Sequence, residues 1–421
     1  KGIDIVTTGQ AVVYYQTAEN NGNLNNVNGK DTKLFDADSS NANVGIQLNL
    51  DADLKNGFTF GSQLTYLDAL GLNKNLVGDT NVMQIAGSTP NTQAAGATST
   101  TNDLALTKIF IAKKIANTTV KVGRQALPKS LSPLAFSEDW NVFQNTFEAA
   151  LVINSDIPDT TVVGAYVGGG NQVGNLSAMD DLTVKGQAGS LSVNSTAYML
   201  TVQNTSLPMT TITASYYDLA RVAGMNGGIG ATAVWGDIAV ADKSLPMGLK
   251  IGVQGGQIDP DSMLGTTAVA NTSALGVKVG LAPIENLTLC AAYTSVDGDD
   301  NKANVSFQNT GGVKTPLYTQ MIANQTAIAL DADTFMLKIA YAMGDMGTVI
   351  AQGTSTAAGK SNLDNRTAGV ENDYTDLELV YKVKAGGVDF LAAYVNQSWD
   401  KKDTASKDNN NIVRIVARYN F

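Results

Sequence analysis

The fold is decided by Val44-Gly45-Ile46-Gln47-Leu48-Asn49-Leu50-Asp51-Ala52-Asp53-Leu54-Lys55-Asn56-Gly57-Phe58-Thr59-Phe60-Gly61-Ser62-Gln63-Leu64-Thr65-Tyr66. Apolar residues at 44, 46, 48, 50, 52 and 54 alternate with Gly, Gln, Asn and Asp, then Lys55-Asn56-Gly57 reverses the chain. The alternation resumes at Phe58. A period of two on both sides of an Asn-Gly pair is a hairpin with one dry and one wet face.

The same pattern runs to the C-terminus. It predicts eighteen strands, at 4–17, 42–54, 58–69, 104–115, 119–126, 147–155, 160–167, 195–203, 209–219, 229–240, 248–257, 273–282, 287–296, 334–342, 347–353, 374–384, 388–398 and 411–421. The connections alternate between short turns and long loops, with a long one first and last. That is the requirement of an even-stranded barrel whose termini share one side. A sandwich has no reason to alternate in this way. The expected fold is therefore all-β: one eighteen-stranded antiparallel transmembrane barrel over 1–421, with no second domain.

Composition agrees. Only 16% of the 421 residues are charged against 43% hydrophobic, where a soluble average is roughly 25% charged. No run approaches the ~18 apolar residues of a membrane-spanning helix. The chain opens at Lys1-Gly2-Ile3-Asp4, inside what reads as a strand. We expect a mature chain from which a signal peptide has been removed, in the bacterial outer membrane among lipid and lipopolysaccharide.

Several function classes fall away. The formal net charge is −10, which opposes nucleic-acid binding. There is no histidine, so Ser-His-Asp catalysis, His-ligated metal centres and histidine switches are excluded. The single cysteine, Cys290, excludes a disulfide framework. Barrel phospholipases and proteases rely on His, so no enzyme is expected. No cofactor is expected either. Acidic pairs at Asp36/Asp38, Asp259/Asp261, Asp297/Asp299/Asp300 and Asp331/Asp333 leave Ca²⁺ open, but a solvated acidic loop is the default.

Parity assigns the faces. A Lys or Arg on the lipid face near the midplane costs ~2–4 kcal/mol, so charged faces should point inward. That places Lys121, Lys250, Lys278, Lys338, Lys382, Arg414 and Arg418 on the lumen wall, with Asp51, Asp53, Glu148, Asp376 and Glu378. Arg124 shares the parity of Val122 and should aim outward. Tyr14, Tyr15, Tyr66, Tyr216, Tyr293, Tyr341, Tyr381, Tyr394 and Tyr419 suit interfacial girdles. Loop 127–146 carries Phe136, Trp140 and Phe143 beside Glu138 and Asp139. Such apolar content suits packing on the inner wall better than exposure. A pore constriction made of Glu138, Asp139 and Phe136, facing Lys121, Arg414 and Arg418, is the expectation.

Two stretches carry a resemblance. The terminal Arg418-Tyr419-Asn420-Phe421 is similar to the closing strand of bacterial outer-membrane proteins. Leu106-Thr107-Lys108, Val120-Lys121-Val122-Gly123-Arg124-Gln125-Ala126-Leu127-Pro128 and Trp140-Asn141-Val142-Phe143-Gln144-Asn145-Thr146-Phe147-Glu148-Ala149 resemble the Opr-type porins. That group includes the OprD-like carboxylate channels and the epsilonproteobacterial Opr porins, with the Campylobacter major porin more distant. The resemblance implies an eighteen-stranded barrel, commonly a homotrimer, whose third loop enters the lumen. OprD-like channels carry an arginine ladder, whereas this chain has only Arg124, Arg221, Arg366, Arg414 and Arg418. The expected function is therefore a water-filled channel for passive diffusion of ions and small hydrophilic solutes, with mild cation preference from Glu138 and Asp139. The alternatives are a substrate-specific OprD-like channel for small organic solutes and a surface-exposed structural or adhesive barrel.

Overall fold

A computed structural model describes residues 3–21, 33–68, 102–171, 193–221, 230–261, 267–363, 370–401 and 407–421, together with 176, 179, 181–184, 186, 263 and 264. Eighteen strands form the wall: β1 (Asp4–Asn21), β2 (Ser40–Lys55), β3 (Phe58–Asp68), β4 (Asn102–Ile115), β5 (Thr118–Gln125), β6 (Phe147–Asn154), β7 (Thr160–Gly170), β8 (Val193–Asn204), β9 (Thr210–Arg221), β10 (Ala231–Ala241), β11 (Lys250–Pro260), β12 (Thr272–Leu281), β13 (Leu287–Val296), β14 (Ala332–Ala342), β15 (Thr348–Ala358), β16 (Asn372–Ala385), β17 (Val388–Lys401) and β18 (Lys407–Asn420). Each pairs antiparallel with its chain neighbours. The last strand closes on the first, with Val12 opposite Arg418 and Tyr14 opposite Val416. Closure leaves no free edge, which a wall in lipid requires. Leu182–Val184 adds a short rung to the top of β8.

The seam is sealed at the C-terminus. Phe421 exchanges two backbone hydrogen bonds with Gly9, at 2.6 and 2.9 Å. A methyl on Gly9 would overlap the Phe421 ring, so the closing aromatic needs glycine opposite it.

Alternation separates the two faces. Leu275, Val277, Val279, Phe335, Leu337, Ile339, Leu377, Leu379, Ile415 and Tyr419 are exposed, while their strand neighbours Ala274, Met336, Asp376, Glu378 and Arg414 are buried. An exposed belt of this kind is unstable in water and stable against hydrocarbon. The main apolar cluster lies on the other parity. It joins Phe147, Leu151, Val167, Ala197 and Trp235 of the wall to Leu134, Phe307, Leu317 and Ile328 of the loops.

Two parity assignments need correction. Glu148 stands on the outer face with Val152, because Phe147, Ala149 and Leu151 take the buried parity of β6. It is neutralised there by Arg124, also outward, at 2.8 Å. The pair is a smaller penalty than either charge alone. Tyr14 is no girdle residue: it is buried, with its hydroxyl donated to Gln16 at 2.9 Å. The described tryptophans also turn inward, Trp235 against Phe307 and Trp399 into a cluster with Tyr374.

Candidate functional site

The stretch between β5 and β6 begins at Leu127-Pro128, where Pro128 accepts turn hydrogen bonds from Leu131 and Ser132. Leu134, Ala135, Phe136, Val142 and Phe143 are buried. The contacts of this stretch reach both sides of the barrel. Ser132 lies 3.2 Å from the Met199 sulfur on β8, and the Leu134 N–H donates to the Tyr217 hydroxyl on β9 at 3.2 Å. At the other end, Arg418 of β18 donates to the Val142 carbonyl at 2.9 Å, and Arg414 donates to the Trp140 carbonyl at 3.4 Å.

A second stretch joins it. Residues 304–330, between β13 and β14, are almost wholly buried. Parity reasoning left this loop unassigned, although a signal was present: between Lys302 and Asp331 the only charge is Lys314, amid Val305, Phe307, Val313, Leu317, Met321 and Ile322. A charge-poor loop of this length has the same reason to pack inward as 127–146.

Glu138 locks the two stretches together. Its Oε1 accepts from Asn309 Nδ2 at 2.8 Å and from the backbone N–H groups of Val313 and Lys314 at 2.7 and 2.8 Å. Its Oε2 accepts the Trp140 indole N–H at 2.6 Å. A methyl on Gly312 would occupy the Oε1 position, so glycine there admits the carboxylate. The Asn309 amide bonds both the N–H and the carbonyl of Phe136, at 2.9 and 2.7 Å. Thr310 donates to the Leu134 carbonyl through its N–H and its hydroxyl, each at 2.9 Å. Glu138 is 3% exposed, and Phe136 is buried beside it. Both were expected to face the pore; both instead hold loop to loop, because charge-assisted donors fill the carboxylate's lone pairs.

Two lysines share this interior. Lys314 is buried, its ammonium on the carbonyls of Met321 and Ile322 at 3.0 and 2.6 Å and 4.7 Å from the Trp140 ring centre. Burial pushes its pKa down, and Arg414 adds to that, against the pull of Glu138 and Glu378. Lys129 donates to the Thr315 carbonyl at 3.0 Å. Burial lowers its pKa to about 8.

Beside the lock, toward the short turns, opens a cavity of about 600 Å³. Its lining includes Lys338 of β14, Lys382 and Lys384 of β16, and Arg414 and Arg418 of β18, against the acids Asp139 and Asp389. Trp140 and Ile322 form its loop side. Arg414 is held rigidly. Its Nε and Nη2 donate to Gln16 at 2.9 and 2.7 Å, and its guanidinium lies 5.3 Å from the Trp140 ring and 5.7 Å from that of Tyr14. Glu378 adds no charge to the surface. It is buried, accepting from the Ile322 and Ala323 N–H groups at 2.7 and 3.2 Å and from Gln352. It thereby ties the second stretch to β16.

The remaining expected residues are spread around the wall. Lys278 lies outside this cavity lining; its ammonium covers the Tyr318 ring at 4.0 Å, and the Tyr318 hydroxyl donates to Asp237. Lys121 sits over Phe110 at 3.7 Å, outside the cavity lining. Asp53 accepts from the Lys55 N–H at 2.8 Å beside the tight turn, and Asp51 lies one pleat further up the same strand. The loop acids are engaged by nearby groups: Asp297 by Ser273 of β12, Asp299 by Asn301 of its own loop and Asp331 by Ser361 of the next loop. Among the described residues no three acids stand together as a metal site would require. Arg366 lies outside the described residues.

No protein-family model and no curated protein sequence matches the chain. Solved structures do. OccK8 (OprE) of Pseudomonas aeruginosa superposes with a TM-score of 0.69 at 14% identity, over 99% of this chain and 98% of that one. OpdK of the same organism, solved with vanillate, gives 0.71 at 12% identity over 99% and 98%. OpdQ gives 0.70 at 12% identity over the same shares. At these identities the likeness establishes the fold: a closed eighteen-stranded antiparallel barrel of the OprD type.

Proposed function

We propose that this chain is a bacterial outer-membrane channel that passes small organic anions, selectively rather than as a general pore. The observation that carries this reading is the cavity lining, where five cationic side chains meet two acids. Low-dielectric walls focus such a field, and fixed charge at a narrow point selects the sign of what passes. The sign is opposite to the cation preference expected from Glu138 and Asp139. Glu138 is spent on four hydrogen bonds, which leaves Asp139 as the loop's contribution. Lysines at 338, 382 and 384 supply the charge that the scarce arginines do not.

In this reading the stretches 127–146 and 304–330 narrow the lumen together. Contacts of the first on β8, β9 and β18 support that, as does the lock through Glu138. The solved relatives support a channel, and the vanillate in the OpdK structure is an aromatic carboxylate, the chemistry this lining suits. The exposed apolar belt supports the outer-membrane placement.

Current block tests the reading. In planar bilayers, millimolar vanillate should interrupt the ionic current of the purified barrel, and vanillyl alcohol, its uncharged analogue, should not. Equal block by both, or by neither, would refute anion selection.

A further inference from the structure

Five consecutive short turns carry exposed apolar tips, and the first four share one backbone construction. They join β6 to β7, β8 to β9, β10 to β11, β12 to β13 and β14 to β15. Ser155-Asp156-Ile157-Pro158-Asp159, Ser206-Leu207-Pro208-Met209 and Ser244-Leu245-Pro246-Met247 repeat one another in sequence, and Pro283-Ile284-Glu285-Asn286 varies the theme. Each of these four puts a non-glycine residue at positive φ: Asp159 at 54°, Met209 at 60°, Met247 at 53° and Asn286 at 65°. That conformation is uncommon for a methionine. Its use is visible next door. The carbonyl of each such residue accepts a backbone bond from the following hairpin: Asp159 from Thr205 at 2.8 Å, Met209 from Ala241 at 2.9 Å, Met247 from Ala282 at 2.6 Å and Asn286 from Ala342 at 2.9 Å. The turns are thereby chained into one belt along the rim.

The belt holds apolar side chains out in the open. Ile157, Leu207, Met247, Ile284 and Met346, one from each turn, are between 53% and 67% exposed. A hollow of about 240 Å³ lies beside the first of these turns. The charge around them is one-sided: Asp156, Asp159, Asp242, Glu285 and Asp345 against Lys243 and Lys250. The other three short turns are tighter and carry no proline; around them Lys55, Lys113, Lys114 and Lys384 stand with Asp4, Asp53 and Asp389, Lys55 paired with Asp4 and Asp53 and Lys384 with Asp389 at 3.7 Å. The excess of acid on the rim therefore lies on the arc of the five apolar-tipped turns, while the other arc has its lysines largely balanced by aspartates. Ten strands at ~4.8 Å spacing give the first arc a span of at least ~45 Å, enough for a protein interface of standard size.

We propose that the apolar, acidic arc is a docking surface for a basic, amphipathic segment of another protein on the short-turn side of the membrane. Charge complementarity decides the occupant. Acids stand in four of the five turns, directly beside Ile157, Ile284 and Met346; they disfavour insertion among lipid headgroups, which are zwitterionic or anionic, and favour lysine- or arginine-rich protein. A belt fixed by backbone hydrogen bonds also loses little freedom on binding. The side on which the partner waits follows from the proposed outer-membrane placement, where short turns face the periplasm.

Photo-cross-linking in the native host tests this. A benzophenone amino acid is placed at Leu207, Met247 or Ile284, and at Asn56 on the other arc as the control. The inference expects a discrete protein adduct at the first three positions and none at Asn56. Mass spectrometry should map the adduct to a basic segment. The adduct should fall at least tenfold in an Asp159→Asn, Asp242→Asn, Glu285→Gln variant whose heat-modifiable migration shows a folded barrel. Adducts to lipid alone, a protein adduct indifferent to the neutralised acids, or none would overturn it. Bilayer conductance is read on the same preparations. A conducting barrel without the adduct refutes docking alone; a silent barrel with the charge-dependent adduct refutes the channel alone.

Discussion

Glu138 shows how a residue legible as important is misread when its partners are distant in sequence. Its carboxylate is met by Asn309, Val313 and Lys314, some 170 residues away, and nothing near position 138 announces them. The inward parity of Lys338, Lys382, Arg414 and Arg418 was readable from alternation, because each sits between apolar or aromatic neighbours that belong on the outer face. Glu148 was not, since its charge is tolerated outside only through Arg124. The two roles separate by mutation. Glu138→Gln removes charge-assisted bonds worth about 1.5–3 kcal/mol each, so channel noise and subconductance steps should increase while ion selectivity barely moves. Arg414→Gln with Arg418→Gln should do the reverse, lowering the anion-to-cation permeability ratio about two- to threefold. Lys129 adds a pH dependence. Its folded pKa of about 8 lies below the ordinary lysine value, so between the two the unfolded chain binds more protons and stability rises with pH. Denaturant midpoints measured across that window should climb, and the climb should shrink in Lys129→Met.

At the scale of elements, all eighteen strands were legible, because a period of two over eight or more residues leaves little ambiguity once a closed wall is required. The loops were not equally legible. The stretch 127–146 declared itself through Phe136, Trp140 and Phe143 close to a strand end. The stretch 304–330 spreads its apolar residues thinly among Asn, Gln, Thr and Gly, and its burial depends on tertiary bonds such as those of Glu378 to Ile322 and Ala323. Replacing 305–329 with a short Gly-Ser linker should raise single-channel conductance severalfold and weaken ion selectivity. A folded barrel with unchanged conductance would remove this stretch from the constriction.

For the whole molecule, net charge is a poor guide to what the proposed channel would admit. The chain carries −10 overall, yet in that channel the charge acting on a passing ion would be that of the cavity lining, where cations outnumber acids. The surface divides accordingly: an apolar belt outside, a cation-rich cavity inside, and a rim whose excess of acid lies on one arc. The reversal potential of the purified barrel in a planar bilayer under a KCl gradient decides whether the cavity selects anions. A sign set by chloride is expected, reduced toward zero in the Arg414→Gln, Arg418→Gln variant. A potential set by potassium in the unaltered protein would contradict it.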